Sequence, residues 1–230
     1  MESNRALGSI EACVFDAYGT LFDVASAAAR CRDDLHGKAD ALADIWRNKQ
    51  LQYTWLRSLM GHYVDFTQVT GDALDYALSA LKVDDPPLRD RLMALYMELD
   101  AYPEVPAVLG RLQGAGLKTA VLTNGSPLMI DAAVASAGIG DLLDAVLTVD
   151  SLGIYKPDPS VYQLALERFA LPAERIAFMS SNAWDAAGAA AFGMTVVWVN
   201  RFGQPPERLP GTPTAELTSL EGLPGLLGIE

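Results

Sequence analysis

The chain has 230 residues, half of them hydrophobic, and a formal charge of −12, enough to bury one large core or a core with an insert. The acidic balance argues against nucleic acid or an anionic membrane as a partner, though not against a small anion that senses only local charge. No apolar run reaches the ~18–20 residues of a membrane span, and the stretch Met1–Ser9 is too short and polar for a signal peptide. Cys13 lies in an apolar run and Cys31 in a helical one, so they do not make a disulfide framework. The expectation is a soluble protein of the reducing cytoplasm.

In chain order, Ala12–Phe15 reads as a buried strand that ends at Asp16 and breaks at Gly19. Residues 24–99 then read as helical throughout, with breaks at Gly61, Gly71 and Pro86–Pro87. Within them, a helix from about Ala41 to Met60 carries an apolar stripe of Leu42, Ile45, Trp46, Tyr53, Leu56, Leu59 and Met60. Leu51 and Trp55 form a second stripe on the face of Arg47 by the i, i+4 rule. Two apolar faces both need cover, one inside the helical segment and the other against a cleft or a second subunit, so a homodimer through this helix is expected.

Further on, Val105–Ala115, Ser126–Ala137, Pro159–Phe169 and Asn182–Phe192 have helical patterns. They alternate with apolar runs at Leu117–Leu122, Ile176–Ser180 and Thr195–Val199, and with a weaker one at Ala145–Val149. Residues 201–213 are rich in Pro and Gly and read as a loop. This alternation predicts an α/β fold, a doubly wound parallel (Rossmann-like) sheet. Roughly a hundred residues separate the first two strands, too many for an ordinary crossover. The predicted organisation is therefore a core of residues 1–23 and 100–230, with an all-helical cap, residues 24–99, inserted after the first strand.

Ligands of open α/β sheets bind beyond the carboxyl ends of the strands. The residues at those ends are Asp16 and Thr20, then Thr123 and Asn124, then Lys156, then Ser180, Asn182 and Asp185. Each alone has a plainer explanation: a turn cap, a helix N-terminal hydroxyl, a solvated loop charge. Together on one sheet edge they point to a site. Asp16 at a strand tip suits a nucleophile. Two residues on, where a second carboxylate could protonate an alkoxide leaving group, stands Tyr18. A halide needs no such proton, which points from phosphate esters toward a carbon–halogen bond.

The segments Phe15-Asp16-Ala17-Tyr18-Gly19-Thr20-Leu21, Leu122-Thr123-Asn124-Gly125-Ser126, Lys156-Pro157-Asp158 and Ser180-Ser181-Asn182-Ala183-Trp184-Asp185 resemble the haloacid dehalogenase superfamily in order and spacing. With Trp46-Arg47-Asn48-Lys49-Gln50-Leu51 they resemble, more narrowly, the L-2-haloacid dehalogenases. That resemblance implies attack by Asp16 on the halogen-bearing carbon, then hydrolysis of the resulting ester by a water that Asp185 assists. It implies Lys156 offsetting the repulsion of the two acids, and Thr20, Ser180 and Tyr162 orienting these groups. Arg47, Asn182 and Phe66 would receive the halide, with Trp184 beside them. Thr123 and Asn124 would hold the substrate carboxylate, and Tyr18 and Leu51 would line its side-chain pocket. Superfamily phosphatases hold Mg²⁺ on acids that Tyr18 and Ser181 replace here, so neither metal nor cofactor is expected.

His36 and His62 both fall in the helical segment and no G-x-S-x-G turn exists, which argues against a Ser–His–Asp hydrolase and a histidine zinc site. Two competitors stay open: a Mg²⁺-dependent phosphatase of the same superfamily, and a non-catalytic protein that binds a small anion.

Overall fold

The computed structural model describes residues 7–24 and 29–229. Six parallel strands form one sheet in the order β3-β2-β1-β4-β5-β6. They are β1 (Ala12–Phe15), β2 (Lys118–Thr123), β3 (Ala145–Thr148), β4 (Ile176–Ser180), β5 (Thr195–Val199) and β6 (Ala215–Leu217). The chain winds outward from β1 through β2 to β3, then returns to the other side of β1 for β4, β5 and β6. This is the doubly wound α/β sheet expected, and its switch point falls beside β1. Every residue of β1 and β4 is buried. Their runs of four apolar residues without alternation follow from that, because helices cover both faces of a parallel sheet. Leu217 and Ala215 are only half-buried, and the edge strand β6 spans three residues, which is why no apolar run announces it.

Eight α-helices lie wholly within the described residues: α1 (Ala39–Met60), α2 (Phe66–Ala80), α3 (Pro86–Tyr96), α4 (Val105–Gly114), α5 (Pro127–Ala137), α6 (Pro159–Phe169), α7 (Ala183–Phe192) and α8 (Leu223–Leu226). Helices α1 to α3 all lie between β1 and β2. Gly61 ends α1 at φ +67, a backbone conformation that L side chains resist, and Pro86–Pro87 open α3 behind the capping carboxylate of Asp85. Gly71 does not break the helix, contrary to the sequence reading; it is buried inside α2, where a Cβ would come 3.3 Å from the Arg89 guanidinium. Its role is close packing against α3. The reading of residues 25–28 as helical, and most of the polar opening stretch, lie outside the described residues.

The apolar stripe on α1 is buried only in its first half. Leu42 and Trp46 are covered, but Leu56, Leu59 and Met60 are 51%, 85% and 67% exposed. The packed line instead runs Leu42, Trp46, Gln50, Thr54. Steps of four residues turn the contact ridge by about 40° each, so its far end faces away from Leu56, Leu59 and Met60. The polar members are satisfied. Gln50 Nε2 donates to Thr70 Oγ1 (3.0 Å), Gln50 Oε1 accepts from the Tyr96 hydroxyl (3.3 Å), and the Trp46 indole donates to the Thr70 carbonyl (2.9 Å). These bonds tie α1, α2 and α3 together.

The chain enters and leaves this helical segment by one doorway. Phe22 bridges Ala101 antiparallel, Asp23 N–H donates to the Asp100 carbonyl, and Tyr102 N–H donates to the Leu21 carbonyl, both at 2.9 Å.

Candidate active site

The carboxyl ends of β1, β2 and β4 bring together Asp16, Thr123–Asn124 and Ser180–Asn182, and the loop before α6 adds Lys156. The Lys156 side chain is 1% exposed and its ammonium lies between two carboxylates, 3.1 Å from Asp16 Oδ1 and 2.8 Å from Asp185 Oδ2. Burial alone would push this ammonium down in pKa, but the two acids outweigh it and the net shift is upward. Burial lifts the Asp185 carboxyl above the ordinary carboxylate range despite the opposing pull of Lys156. The Phe178 ring lies 4.9 Å from the ammonium on a further side.

Each carboxylate has three donors. Asp16 Oδ2 accepts from Thr20 Oγ1 (3.1 Å) and Asn182 Nδ2 (2.8 Å), while Oδ1 has Lys156. Asp185 Oδ1 accepts from the Tyr162 hydroxyl (2.8 Å), and Oδ2 from Lys156 and the Ser180 hydroxyl (3.1 Å). Asn182 occupies the N-cap position of α7, yet its side chain makes no capping bond. A capping bond is typically worth ~1 kcal/mol. Asn182 forgoes it and directs its amide to Asp16 Oδ2 and the Tyr18 carbonyl (3.1 Å), while its oxygen accepts from Arg47 Nη2 (3.0 Å). Through that bond α1 reaches the core.

The fourteen site residues expected from sequence divide into two layers. Nine border a common cavity: Asp16, Tyr18, Arg47, Leu51, Phe66, Thr123, Asn124, Asn182 and Trp184. The other five, Thr20, Lys156, Ser180, Tyr162 and Asp185, stand behind Asp16 in the hydrogen-bonded layer already described. The cavity holds about 10 Å³, room for about one water. Two of its polar atoms, the Tyr18 hydroxyl and the Trp184 indole N–H, are buried without a partner among the described residues. Asn124 Oδ1 accepts from the Lys156 N–H (3.0 Å), so its amide NH₂ is the end left for a ligand. Thr123 Oγ1 accepts from Gly125 N–H (3.0 Å) and keeps its own proton to donate.

Sequence reasoning missed several contributors. A Cβ on Gly125 would lie 2.7 Å from Tyr18 Cε2, and one on Gly188 would lie 2.6 Å from the Tyr162 hydroxyl. Both glycines let a site tyrosine close against the backbone; Gly125 falls within the Leu122–Ser126 segment, but no local pattern marks Gly188. Trp55 meets Trp184 edge to face at 5.3 Å. Arg201 donates to the Thr20 carbonyl at 2.8 Å; it stands two residues beyond the end of β5, close enough for the strand-end rule to have found it.

A divalent ion does not fit between the two acids, because the Lys156 ammonium fills that position. Tyr18 and Ser181 offer no carboxylate beside it, and among the described residues no three His, Cys, Asp or Glu side chains gather as ligands would.

Residues 10–193 match the model of the haloacid dehalogenase-like hydrolase family. The chain is 45% identical over 219 residues to (S)-2-haloacid dehalogenase 1 of Pseudomonas sp. strain CBS-3, covering 95% of this chain and 96% of that one. It is 47% identical over 200 residues to (S)-2-haloacid dehalogenase 4A of Burkholderia cepacia, covering 86% and 87%. Its structure superposes on L-2-haloacid dehalogenase from Xanthobacter autotrophicus with chloropropionic acid covalently bound, at a TM-score of 0.88 and 38% identity over 95% of this chain and 98% of that one. With its family model and its relatives in agreement over nearly the whole length, the chain belongs to the haloacid dehalogenase-like hydrolases, on the branch of the (S)-2-haloacid dehalogenases.

Proposed function

We propose that this protein is an (S)-2-haloacid dehalogenase, a hydrolase that converts short L-2-haloalkanoic acids to D-2-hydroxy acids and halide. The observation that carries the reading is the Lys156 ammonium between Asp16 and Asp185. It supplies the positive charge that lets two carboxylates share one buried site and keeps Asp16 available as a nucleophile. The phosphatase alternative is not favoured, since it needs carboxylates where Tyr18 and Ser181 stand.

Asp16 Oδ1 has one donor against two on Oδ2, so it keeps the freer lone pair and attacks C2 opposite the halogen. The Oδ1–C2 bond forms as the carbon–halogen bond breaks, and the halide departs with the bonding pair. Backside displacement inverts C2. Arg47, Phe66 and Trp184 surround the departing charge. Both amide hydrogens of Asn182 are committed elsewhere, so Asn182 serves the halide by orienting Arg47. The substrate carboxylate is held by the Thr123 hydroxyl, the Asn124 amide and backbone N–H groups ahead of α5. Leu51 and Tyr18 border the C2 substituent. In the second step a water adds to Asp16 Cγ and gives its proton to Asp185. Thr20 Oγ1 and Asn182 Nδ2 stabilise the charge that develops on Oδ2. The Cγ–Oδ1 bond then breaks as Asp185 gives its proton back, and the hydroxy acid leaves with Oδ1.

Residues 24–99 act in this reading as a cap that completes the site with Arg47, Leu51 and Phe66, and admission of a haloacid to so small a cavity requires the cap wall to shift. Two free thiols, Cys13 and Cys31, suit a cytoplasmic setting. The exposed Leu56, Leu59 and Met60 of α1 suit an interface with a second copy of the chain.

Single turnover of L-2-chloropropionate in ¹⁸O-water is expected to label the Asp16 side chain; label in the product alone would mean that water attacks C2 directly. The acid limb of kcat should lie above the ordinary Asp pKa of ~3.9, because Asp185 must be ionised to accept a proton and its pKa is raised by burial. Activity is then lost as pH falls through that raised value, and a limb at or below the ordinary value would remove Asp185 as the base. Light scattering at micromolar concentration should give the mass of two chains, and a single-chain mass would refute the interface.

A further inference from the structure

Arg201 carries a charge into the protein beneath the nucleophile turn. Its side chain is 8% exposed and its partner Glu104 is 10% exposed, with Nη1 2.7 Å from Oε1. The guanidinium stacks 3.7 Å from the Tyr102 ring centroid, and Nη2 donates to the Thr20 carbonyl at 2.8 Å. A buried ion pair is seldom better for stability than apolar side chains of the same size, so packing alone does not account for it. What it grips is Thr20, whose hydroxyl donates to Asp16 Oδ2 (3.1 Å) and accepts from the Ser181 N–H (2.8 Å). Thr20 follows Gly19, at φ +89, in a turn closed by bonds from the Thr20, Leu21 and Phe22 N–H groups onto the Ala17 carbonyl. Through Tyr102 and Glu104, Arg201 ties that turn to the segment where the chain returns from α3; the same segment is held by Tyr102 N–H donating to the Leu21 carbonyl and by Glu104 Oε1 accepting from Leu220 N–H.

We propose that Arg201 is a positioning residue for hydrolysis of the ester, holding Thr20 so that its hydroxyl stays aimed at Asp16 Oδ2. This rests on the reading of Asp16 as nucleophile. The two chemical steps make opposite demands on Oδ2. Ester formation draws negative charge out of the carboxylate, so a donor at Oδ2 gains nothing as the reaction proceeds. When water adds to Cγ, the carbonyl electron pair moves onto Oδ2 while the water's proton passes to Asp185, and a well-aimed donor there lowers the barrier. The pair then returns, Cγ–Oδ1 breaks and the hydroxy acid departs. Loosening Thr20 therefore slows the second step and spares the first.

The test uses Arg201→Gln, with Arg201→Lys beside it, turning over L-2-chloropropionate. For Arg201→Gln, kcat should fall roughly 10-fold or more and KM should fall with it, because the ester accumulates. Intact-protein mass spectrometry during steady state should then find a larger fraction of enzyme carrying the propionate adduct than in wild type. Arg201→Lys, whose single ammonium reaches Glu104 or the Thr20 carbonyl, should fall between them. An unchanged kcat overturns the proposal, as does a lower kcat with unchanged KM and no added adduct, the pattern of a merely structural role. If Arg201→Gln does not fold, Arg201→Lys is judged by the same two readouts, and if neither folds the role is structural and the proposal falls. Wild-type halide release with ¹⁸O entering Asp16 is the control; its failure would remove the nucleophile reading itself, and the assignment of Arg201 with it.

Discussion

One ammonium shared by two buried carboxylates is the constraint on which the site is built. At 3.1 and 2.8 Å from Asp16 and Asp185, Lys156 is nearer to both acids than either would tolerate of another negative charge. Removing a charge from water is costly unless its remaining hydrogen-bonding capacity is met. Here it is met: Thr20 and Asn182 complete Asp16, and Ser180 and Tyr162 complete Asp185. The trio still carries a net negative charge, and Arg47, reached through Asn182, is the next cation outward. Negative charge on Asp16 and positive charge on Arg47 are thus separated by one amide.

The fold makes this arrangement cheap to specify. Parallel strands end on one edge, so residues distant in sequence arrive together there. The helices that follow β2 and β4 begin at the site. Asn182 makes no cap bond for α7, while Ser126 caps α5 and also meets the Thr67 hydroxyl at 2.8 Å from the helical segment. The helical segment is joined to the core by a narrow doorway at Phe22 and Ala101 and by contacts at the rim. Tyr155 N–H donates to the Ser58 hydroxyl (3.1 Å), its own hydroxyl donates to the Val64 carbonyl (2.6 Å), and Tyr63 donates to Asp150. Tyr155 is the residue directly before Lys156, so the same loop that delivers the ammonium also anchors the helices that supply Arg47.

What could be read from sequence follows from these physical facts. Buried parallel strands are continuous apolar runs, so five of the six strands and the polar residues at their ends were legible within a residue or so. Edge strand β6 was not, because a half-buried strand of three residues has no such run. Helix α1 was legible as a helix, but its packed face was not, since Gln50 is buried there by hydrogen bonds with Thr70 and Tyr96 from other helices, and Thr54 by one to the Leu51 carbonyl. For the same reason the layered structure of the site was hidden. Nothing local distinguishes Trp184, which borders the cavity, from Tyr162, which stands behind it. The roles of Gly125 and Gly188 depend on where distant tyrosines lie. Arg201 sat at a strand end in plain view, but its significance rests on its contact with Thr20, more than 180 residues earlier.

The central claim is that an ammonium of the protein itself does the work that a divalent cation would otherwise do between these two acids. Chloride release from L-2-chloropropionate, measured side by side on enzyme stripped with EDTA and on enzyme supplied with Mg²⁺, tests it most directly. Equal rates in the two samples, with no phosphate liberated from phosphate esters in either, are what the account predicts. A rate that vanishes on stripping and returns with Mg²⁺, or release of phosphate and never of halide, would contradict it.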